Sequence, residues 1–411
     1  MNENVPNGWA LYPLNTVLKE VKKKNKSNDN YPVFSVTKYN GFVRSDSYFK
    51  KQVFSRDLTT YKVVSEGQFA YATIHLDEGS LGLLKGVEKG LVSPMYTVFE
   101  TTGSIDNVFL FYLLKSDYFM RLYPSLGQGS IDRRASIPFK VLSGVEFLSP
   151  PLSEQKKIAA ILTSVDDVIE QTQAQINKLK DLKTGMMQEL LTRGVGVDGK
   201  PHTEFKDSPV GRIPKGWEVE ALKEFTSFIS YGFTNPMPEA DDGPYMITAK
   251  DVNNLKIQYS NARRTTRAAY EELLTRKSRP DVNDILLTKD GTLGRVALVT
   301  EPNCCINQSV AVITPNERVI PKFLLYLLAS PAYQQEMLDK AGGSTIKHIY
   351  ITVIDKMFIA VPSLEEQEKL VGILDSVFCK LELVEQKLNK LKAMKKALMQ
   401  DLLTGKVRVK V

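Results

Sequence analysis

Residues 151–193 read PLSEQKKIAAILTSVDDVIEQTQAQINKLKDLKTGMMQELLTR, and residues 363–405 read SLEEQEKLVGILDSVFCKLELVEQKLNKLKAMKKALMQDLLTG. Aligned at an offset of roughly 212 positions, about 19 of the 43 residues are identical, more than shared composition produces. Glu154-Gln155 answers to Glu366-Gln367, Asn177-Lys178-Leu179-Lys180 to Asn389-Lys390-Leu391-Lys392, and Leu190-Leu191-Thr192 to Leu402-Leu403-Thr404. The repetition predicts two related halves with an internal pseudo-two-fold symmetry.

In each copy one stripe advances by alternating steps of four and three. The first runs Ile158, Leu162, Val165, Ile169, Thr172, Ile176, Leu179, Lys183, Met186, Leu190; the second runs Leu370, Leu374, Val377, Leu381, Val384, Leu388, Leu391, Lys395, Leu398, Leu402. This is the heptad pattern of a coiled coil. Ser153 after Pro150-Pro151, and a capping box from Ser363 to Glu366, mark the starts, while Gly194 and Gly405 stand where C-terminal caps belong. Helices of about 39 residues extend about 58 Å at 1.5 Å per residue. The first helix feeds the second variable segment and the second helix leaves it. A compact segment therefore brings those two ends together, and the helices run antiparallel with one variable segment at each end. The seam lysines agree. A parallel pair in register sets Lys183 against Lys395, whereas antiparallel alignment sets Lys183 against Val377 and Lys395 against Val165, where a lysine stem reaches water.

The duplication extends past the helices. Pro6-Asn7-Gly8-Trp9 answers to Pro214-Lys215-Gly216-Trp217, and Gly79-Ser80-Leu81-Gly82 to Gly291-Thr292-Leu293-Gly294. Residues 10–150 and 218–361 mix short alternating strands with helices, which predicts two small α+β domains. Strands are expected at Val33 to Thr37, Phe69 to His75, Tyr245 to Ala249, Ile285 to Thr288 and Val310 to Ile313. Apolar helices at Val108 to Leu114 and Phe323 to Leu328 are read as core.

The net charge is +7, with the excess in residues 1–150 and the C-terminal helix, a balance that permits nucleic acid as partner. Local clusters carry more weight: Lys22-Lys23-Lys24 with Lys26, Arg133-Arg134, Arg263-Arg264 with Arg267, and Arg276-Lys277 with Arg279. A solvated lysine face is the competing reading of each. The second Gly-x-x-Gly loop, Gly291 to Gly294, is flanked by Lys289 and Arg295, which tilts it toward phosphate; the first has Asp77 and Leu83 there. Gly127-Gln128-Gly129-Ser130 before Arg133-Arg134, and Gly342-Gly343-Ser344 before Lys347-His348, suit either backbone contact with a nucleic acid or a strand-entry turn. Tyr231 and Phe233 form a loop whose aromatics approach bases, or anchor a core.

Catalytic chemistry is sparse. The chain has no G-x-x-x-x-G-K-[ST] phosphate loop, no nucleophile elbow, and no Asp or Asn before Pro150-Pro151 to make an amino-methyltransferase tetrapeptide. His75, His202 and His348 have no metal-ligand spacing, and Cys304, Cys305 and Cys379 build neither a disulfide framework nor a zinc array. No apolar run reaches the roughly 18 residues that span a bilayer, so a soluble cytoplasmic protein without metal is expected.

Ser149-Pro150-Pro151-Leu152-Ser153-Glu154-Gln155, Val361-Pro362-Ser363-Leu364-Glu365-Glu366-Gln367, Leu402-Leu403-Thr404-Gly405-Lys406, Phe205-Lys206-Asp207-Ser208-Pro209 through Ile213-Pro214-Lys215-Gly216-Trp217, and Gly342-Gly343-Ser344-Thr345-Ile346-Lys347-His348-Ile349 together resemble the conserved regions of specificity subunits from Type I restriction-modification systems. The resemblance implies an α+β architecture of two target-recognition domains separated by an antiparallel coiled coil of two long helices. Residues 1–150 and 206–361 would be the recognition domains, and 151–205 and 362–411 the conserved helical regions. It also implies double-stranded DNA as ligand, read in two halves, with the helices setting the spacer. Two modification subunits that bind S-adenosylmethionine, and restriction subunits that use ATP and magnesium, would supply the chemistry. This chain then holds no cofactor and no catalytic residue. Lys22, Lys23, Lys24, Lys26, Arg133, Arg134, Tyr231, Phe233, Arg263, Arg264, Lys289, Gly291, Gly294, Arg295, Lys347 and His348 are the candidate DNA-binding residues. The first copy departs from the second, with Arg133-Arg134 in place of Lys347-His348 and nothing matching Asn307-Gln308. A scaffold whose variable segments bind protein is the alternative.

Overall fold

The structure, a computed structural model, describes residues 5–127, 136–343 and 347–410. The chain divides into two compact units, Met1–Gln173 with Gln386–Val411, and Ala174–Glu385. The division passes through the middle of both long helices, Leu152–Arg193 and Leu364–Leu403, which are 42 and 40 residues long. Each unit therefore holds one variable segment and half of each helix.

In the first unit an antiparallel sheet runs in the order Leu18–Val21, Tyr96–Thr101, Phe69–Ala72, Leu81–Leu83. In the second unit the order is Thr226–Tyr231, Val310–Pro315, Ile285–Thr288, Val296–Leu298. Each unit adds a second sheet with one parallel pair, Phe34 opposite Val92 in the first and Tyr245 opposite Cys304 in the second. The strand order of the main sheet is thus the same in both. Burial explains the central strands: Ile285, Leu286, Leu287 and Thr288 are wholly inaccessible, as are Phe69, Ala70 and Tyr71, because each sheet is covered on both faces. The strand expected to reach His75 stops at Ala72, where the His75 N–H closes a turn onto the Ala72 carbonyl at 3.1 Å. Behind the sheets lie Asn107–Leu114 and Pro321–Leu328, whose leucines and phenylalanines fill the two cores. The Asp106 carboxylate accepts from the N–H groups of Val108 and Phe109, both at 2.9 Å, and so caps the first of these helices.

The long helices pack antiparallel in both units. In the second unit Lys180 pairs with Glu385 at 3.0 Å and the Lys183 ammonium lies 4.6 Å from the centre of the Phe378 ring. In the first unit Asp166 pairs with Lys395 at 2.6 Å. The seam lysines meet the residues next to the valines expected from the heptads. An ammonium gains an aromatic face at Phe378 and a carboxylate at Asp166, and gains nothing from a valine. The Lys183 ammonium still titrates below the ordinary lysine range because burial disfavours its charge.

The repeated residues fasten each unit to its helices. The Trp9 indole donates to Glu154 at 3.3 Å, and the Trp217 indole to Glu366 at 3.2 Å. Gln155 accepts from the Asp106 N–H at 2.8 Å, and Gln367 from the Ile320 N–H at 2.7 Å. Tyr112 donates to Asp166, and Tyr326 to Asp375. Asp375 aligns with Thr163 rather than Asp166, so the acceptor has moved three positions along the same helical face. The capping box expected at Ser363 forms only in part. The Glu366 N–H reaches Ser363 Oγ at 3.4 Å, but the carboxylate accepts instead from Trp217, His202 and the N–H groups of Val195 and Gly196.

Candidate nucleic-acid interface

Three stretches far apart in the second unit's sequence meet at one rim. Strand Ile285–Thr288 leads into a turn over 289–295. There the Lys289 N–H donates to the Ser309 carbonyl at 2.9 Å, and the Ile349 N–H to the Lys289 carbonyl at 3.0 Å. The Lys289 ammonium stands 2.7 Å from Asp290 Oδ2 and 5.6 Å from the centre of the Tyr231 ring. Asp290 bridges to His348 through the backbone, and the His348 ring meets Tyr350 edge-on with centres 4.7 Å apart. Tyr231 is 49% exposed and Tyr350 62%. Aromatic faces open to solvent beside an ammonium suit nucleic-acid bases and backbone.

The shape of the turn is held from behind. Thr288 Oγ1 donates to the Thr292 carbonyl and accepts from the Arg295 N–H at 2.9 Å, and the Gly294 N–H reaches the Thr288 carbonyl at 2.8 Å. Gln334, on helix Pro331–Asp339, donates to the Gly294 carbonyl at 2.7 Å. A Cβ on Gly294, whose φ is +86°, would stand 2.8 Å from Gln334 Oε1. The backbone conformation therefore favours glycine there, and a larger residue would displace the Gln334 amide.

Of the candidates read from the sequence, Tyr231, Lys289, Gly291, Lys347 and His348 lie on or beside this rim. The other three candidate cations of this unit, Arg263, Arg264 and Arg295, are engaged elsewhere. Arg264 stacks on Tyr245 at 4.1 Å and donates to the Gly243 carbonyl at 2.8 Å. Arg263 pairs with Glu239, and the Arg295 guanidinium turns toward the Val252 carbonyl at 3.4 Å. Phe233 packs on an apolar cluster of Met246, Leu274 and Cys305, the anchoring role rather than the base-facing one. Asp290, Tyr350 and Gln334 were not singled out by sequence reasoning. Asp290 had a signal in its place between a lysine and a glycine, and Tyr350 in its place two residues after His348; Gln334 had none.

In the first unit Lys22, Lys23, Lys24 and Lys26 are all exposed, following strand Leu18–Val21. The Val63 N–H donates to the Lys23 carbonyl at 2.9 Å, and Lys24 bridges to Lys62, so two segments contribute to one basic patch. The Lys62 ammonium is held below the usual range chiefly by burial; Glu20 opposes this, while Lys22 and Lys24 add to it. Arg133 and Arg134, the Gln128 to Ser130 stretch before them, and Ser344 of the matching loop lie outside the described residues. The turn over 77–82 has the same closure as its counterpart, the Leu81 N–H reaching the Gly79 carbonyl at 2.8 Å where the Leu293 N–H reaches Gly291 at 3.0 Å.

Of the three cysteines, Cys304 and Cys305 are buried and Cys379 is exposed. Burial pushes the thiols of Cys304 and Cys305 up to about 12, so both are protonated and unreactive at neutral pH. Among the described residues no group of three or more His, Cys, Asp or Glu side chains is placed to hold a metal. No described helix is long and apolar enough to cross a membrane.

The Type I restriction modification DNA specificity domain matches the chain twice, over residues 11–181 and 214–393. The chain belongs to that family. It is 29% identical to the type I restriction enzyme MjaVIII specificity subunit of Methanocaldococcus jannaschii, over 79% of this chain and 76% of the relative. It is 27% identical to the EcoBI specificity subunit of Escherichia coli, over 63% of this chain and 57% of that one. The crystal structure of the specificity subunit from M. genitalium shares the fold, with a TM-score of 0.58 at 13% identity, covering 98% of this chain and 97% of that chain. Each of the two matched stretches contains one copy of the sheet pair and most of one long helix.

Proposed function

We propose that the chain is the non-catalytic, sequence-reading component of a Type I restriction-modification complex in the cytoplasm. Each unit addresses one part of a split sequence in double-stranded DNA, and the long helices set the distance between the parts. The same helices dock two modification subunits, which carry S-adenosylmethionine and the methyl-transfer chemistry; restriction subunits bring ATP and magnesium. The observation that carries this reading is one fold present twice, each copy matching the DNA specificity domain and each bearing different exposed side chains on a common turn. Phosphate contacts from Lys22 to Lys26 and Lys347 would set register, and rim side chains would meet base edges.

Binding to duplex DNA as a function of salt tests the proposal, with the chain in complex with its modification subunits. Engagement of six to ten phosphates lowers affinity by about 10³ to 10⁵ between 50 and 200 mM salt. Affinity for duplex that is absent, or flat with salt, would return the scaffold reading.

A further inference from the structure

We propose that Asp290, with Lys289 as its counter-ion, is a specificity-determining residue that reads a base amino group in the half-site addressed by the second unit. This rests on the function proposed above. The pair sits on the exposed rim, with side-chain exposures of 33% for Asp290 and 18% for Lys289 and 2.7 Å between the charges. A site for bare phosphate would present the ammonium alone. Here a carboxylate sits beside it, and a carboxylate is repelled by phosphate but attracted to the major-groove amino groups of adenine N6 and cytosine N4. The neighbouring ammonium supplies the complementary donor for an adjacent O6, N7 or O4 acceptor.

The pair is not needed for the shape of the turn. The backbone there is tied by Ser309, Ile349 and Thr288, and by Gln334 from the helix behind. The side chains of 289 and 290 are therefore carried on a rigid platform, the arrangement that base readout requires. The first unit places Glu78 at the matching position before Gly79, 3.2 Å from His75. A carboxylate thus occupies the same turn position in both units, with Asp77 in the first where the second has Lys289. The exposed Tyr231 ring lies 5.6 Å from the Lys289 ammonium, and the exposed Tyr350 stands against His348, which bridges to Asp290.

The experiment co-expresses the full chain with its modification subunits and maps methylated sites across the host genome, for wild type, D290N and K289M. Replacing the Asp290 carboxylate by an amide keeps the size of the side chain but removes the charge and adds a donor. D290N should therefore relax or change one position in one part of the motif, with discrimination there falling about ten- to a hundredfold. K289M should disturb the same or the adjacent position, and the other part of the motif should stay as in wild type. An unchanged motif in both variants, or an equal loss of methylation at every site, would overturn the assignment. A wild-type complex that methylates no two-part sequence would instead overturn the underlying function.

Discussion

The turn over residues 77–82 and the turn over residues 289–294 share one closure and a left-handed first glycine, and differ in what they present. Both run acid, glycine, hydroxyl, leucine, glycine, and both close through a leucine N–H onto the first glycine's carbonyl. Ahead of the acid stands Asp77 in the first unit and Lys289 in the second. The first turn is therefore acidic and the second is neutralised within itself and ringed by Tyr231, His348 and Tyr350. A duplicated scaffold with divergent surface chemistry is what a protein needs to address two unlike sequences with one architecture. The shared residues hold shape, and the unshared ones can discriminate.

The anchors at the helix starts show the same division. Glu154 is clamped by Trp9 and by Arg408, whose guanidinium makes two 2.8 Å bonds to it and donates also to the Asn7 carbonyl. Glu366 is held by Trp217, by His202 at 2.9 Å and by two backbone N–H groups. One buried carboxylate thus faces a permanent cation and the other an imidazole with main-chain donors.

The largest effect on this comparison comes from the tryptophans. Trp217→Ala should cost the second unit about 3–5 kcal/mol, read as a lowered melting transition with proteolysis confined to residues 174–385. Trp9→Ala should do the same to the first unit, and loss of both units from either change would mean that they fold as one.

Gly194 comes next. Its φ is +64°, and a Cβ there would fall 2.1 Å from Glu366 Oε1 and 2.8 Å from the Trp217 ring. Gly194→Ala should therefore destabilise by about 1–3 kcal/mol, and Gly405→Ala should do so through Pro6 and Trp9 in the first unit. Denaturant melts that leave both variants at wild-type stability would refute the steric argument.

The smallest effect is the response to acid. Arg408 holds the Glu154 carboxyl below its usual value of 4.5. A depressed carboxyl pKa contributes stability that is full above the unfolded value and is lost as pH falls through the folded value. The melting temperature should therefore decline below about pH 4.5, and Arg408→Ala should flatten the part due to this pair. Parallel wild-type and variant curves across that range would show that the pair contributes nothing.

Much of the fold was legible beforehand. The heptads named both long helices, because a helix repeats its environment every few residues and the stripe is a local signal, and the order of connection gave their antiparallel sense. The strands at Val33–Thr37 and Ile285–Thr288 matched for the same reason. The candidate rim was only half visible. Lys289, His348 and Tyr231 drew attention as charge or aromaticity near glycine, but so did Arg264 and Phe233, which the fold turns to Tyr245 and to an apolar cluster. Nothing in a single sequence separates an arginine that stacks on a neighbour from one that awaits phosphate, since the partner lies on another strand.

The order of residues alone determined that this protein is built twice, that paired helices join the copies, and that matching glycine, tryptophan and glutamate positions recur at one offset. These follow from periodicity and self-similarity, which need no third dimension. Which side chains share a surface was settled by strand pairing, which sets residues 231, 289 and 348 side by side although more than fifty positions separate each from the next. Register between distant strands depends on the packing of whole sheets against their helices, and that free energy belongs to the folded chain as a unit.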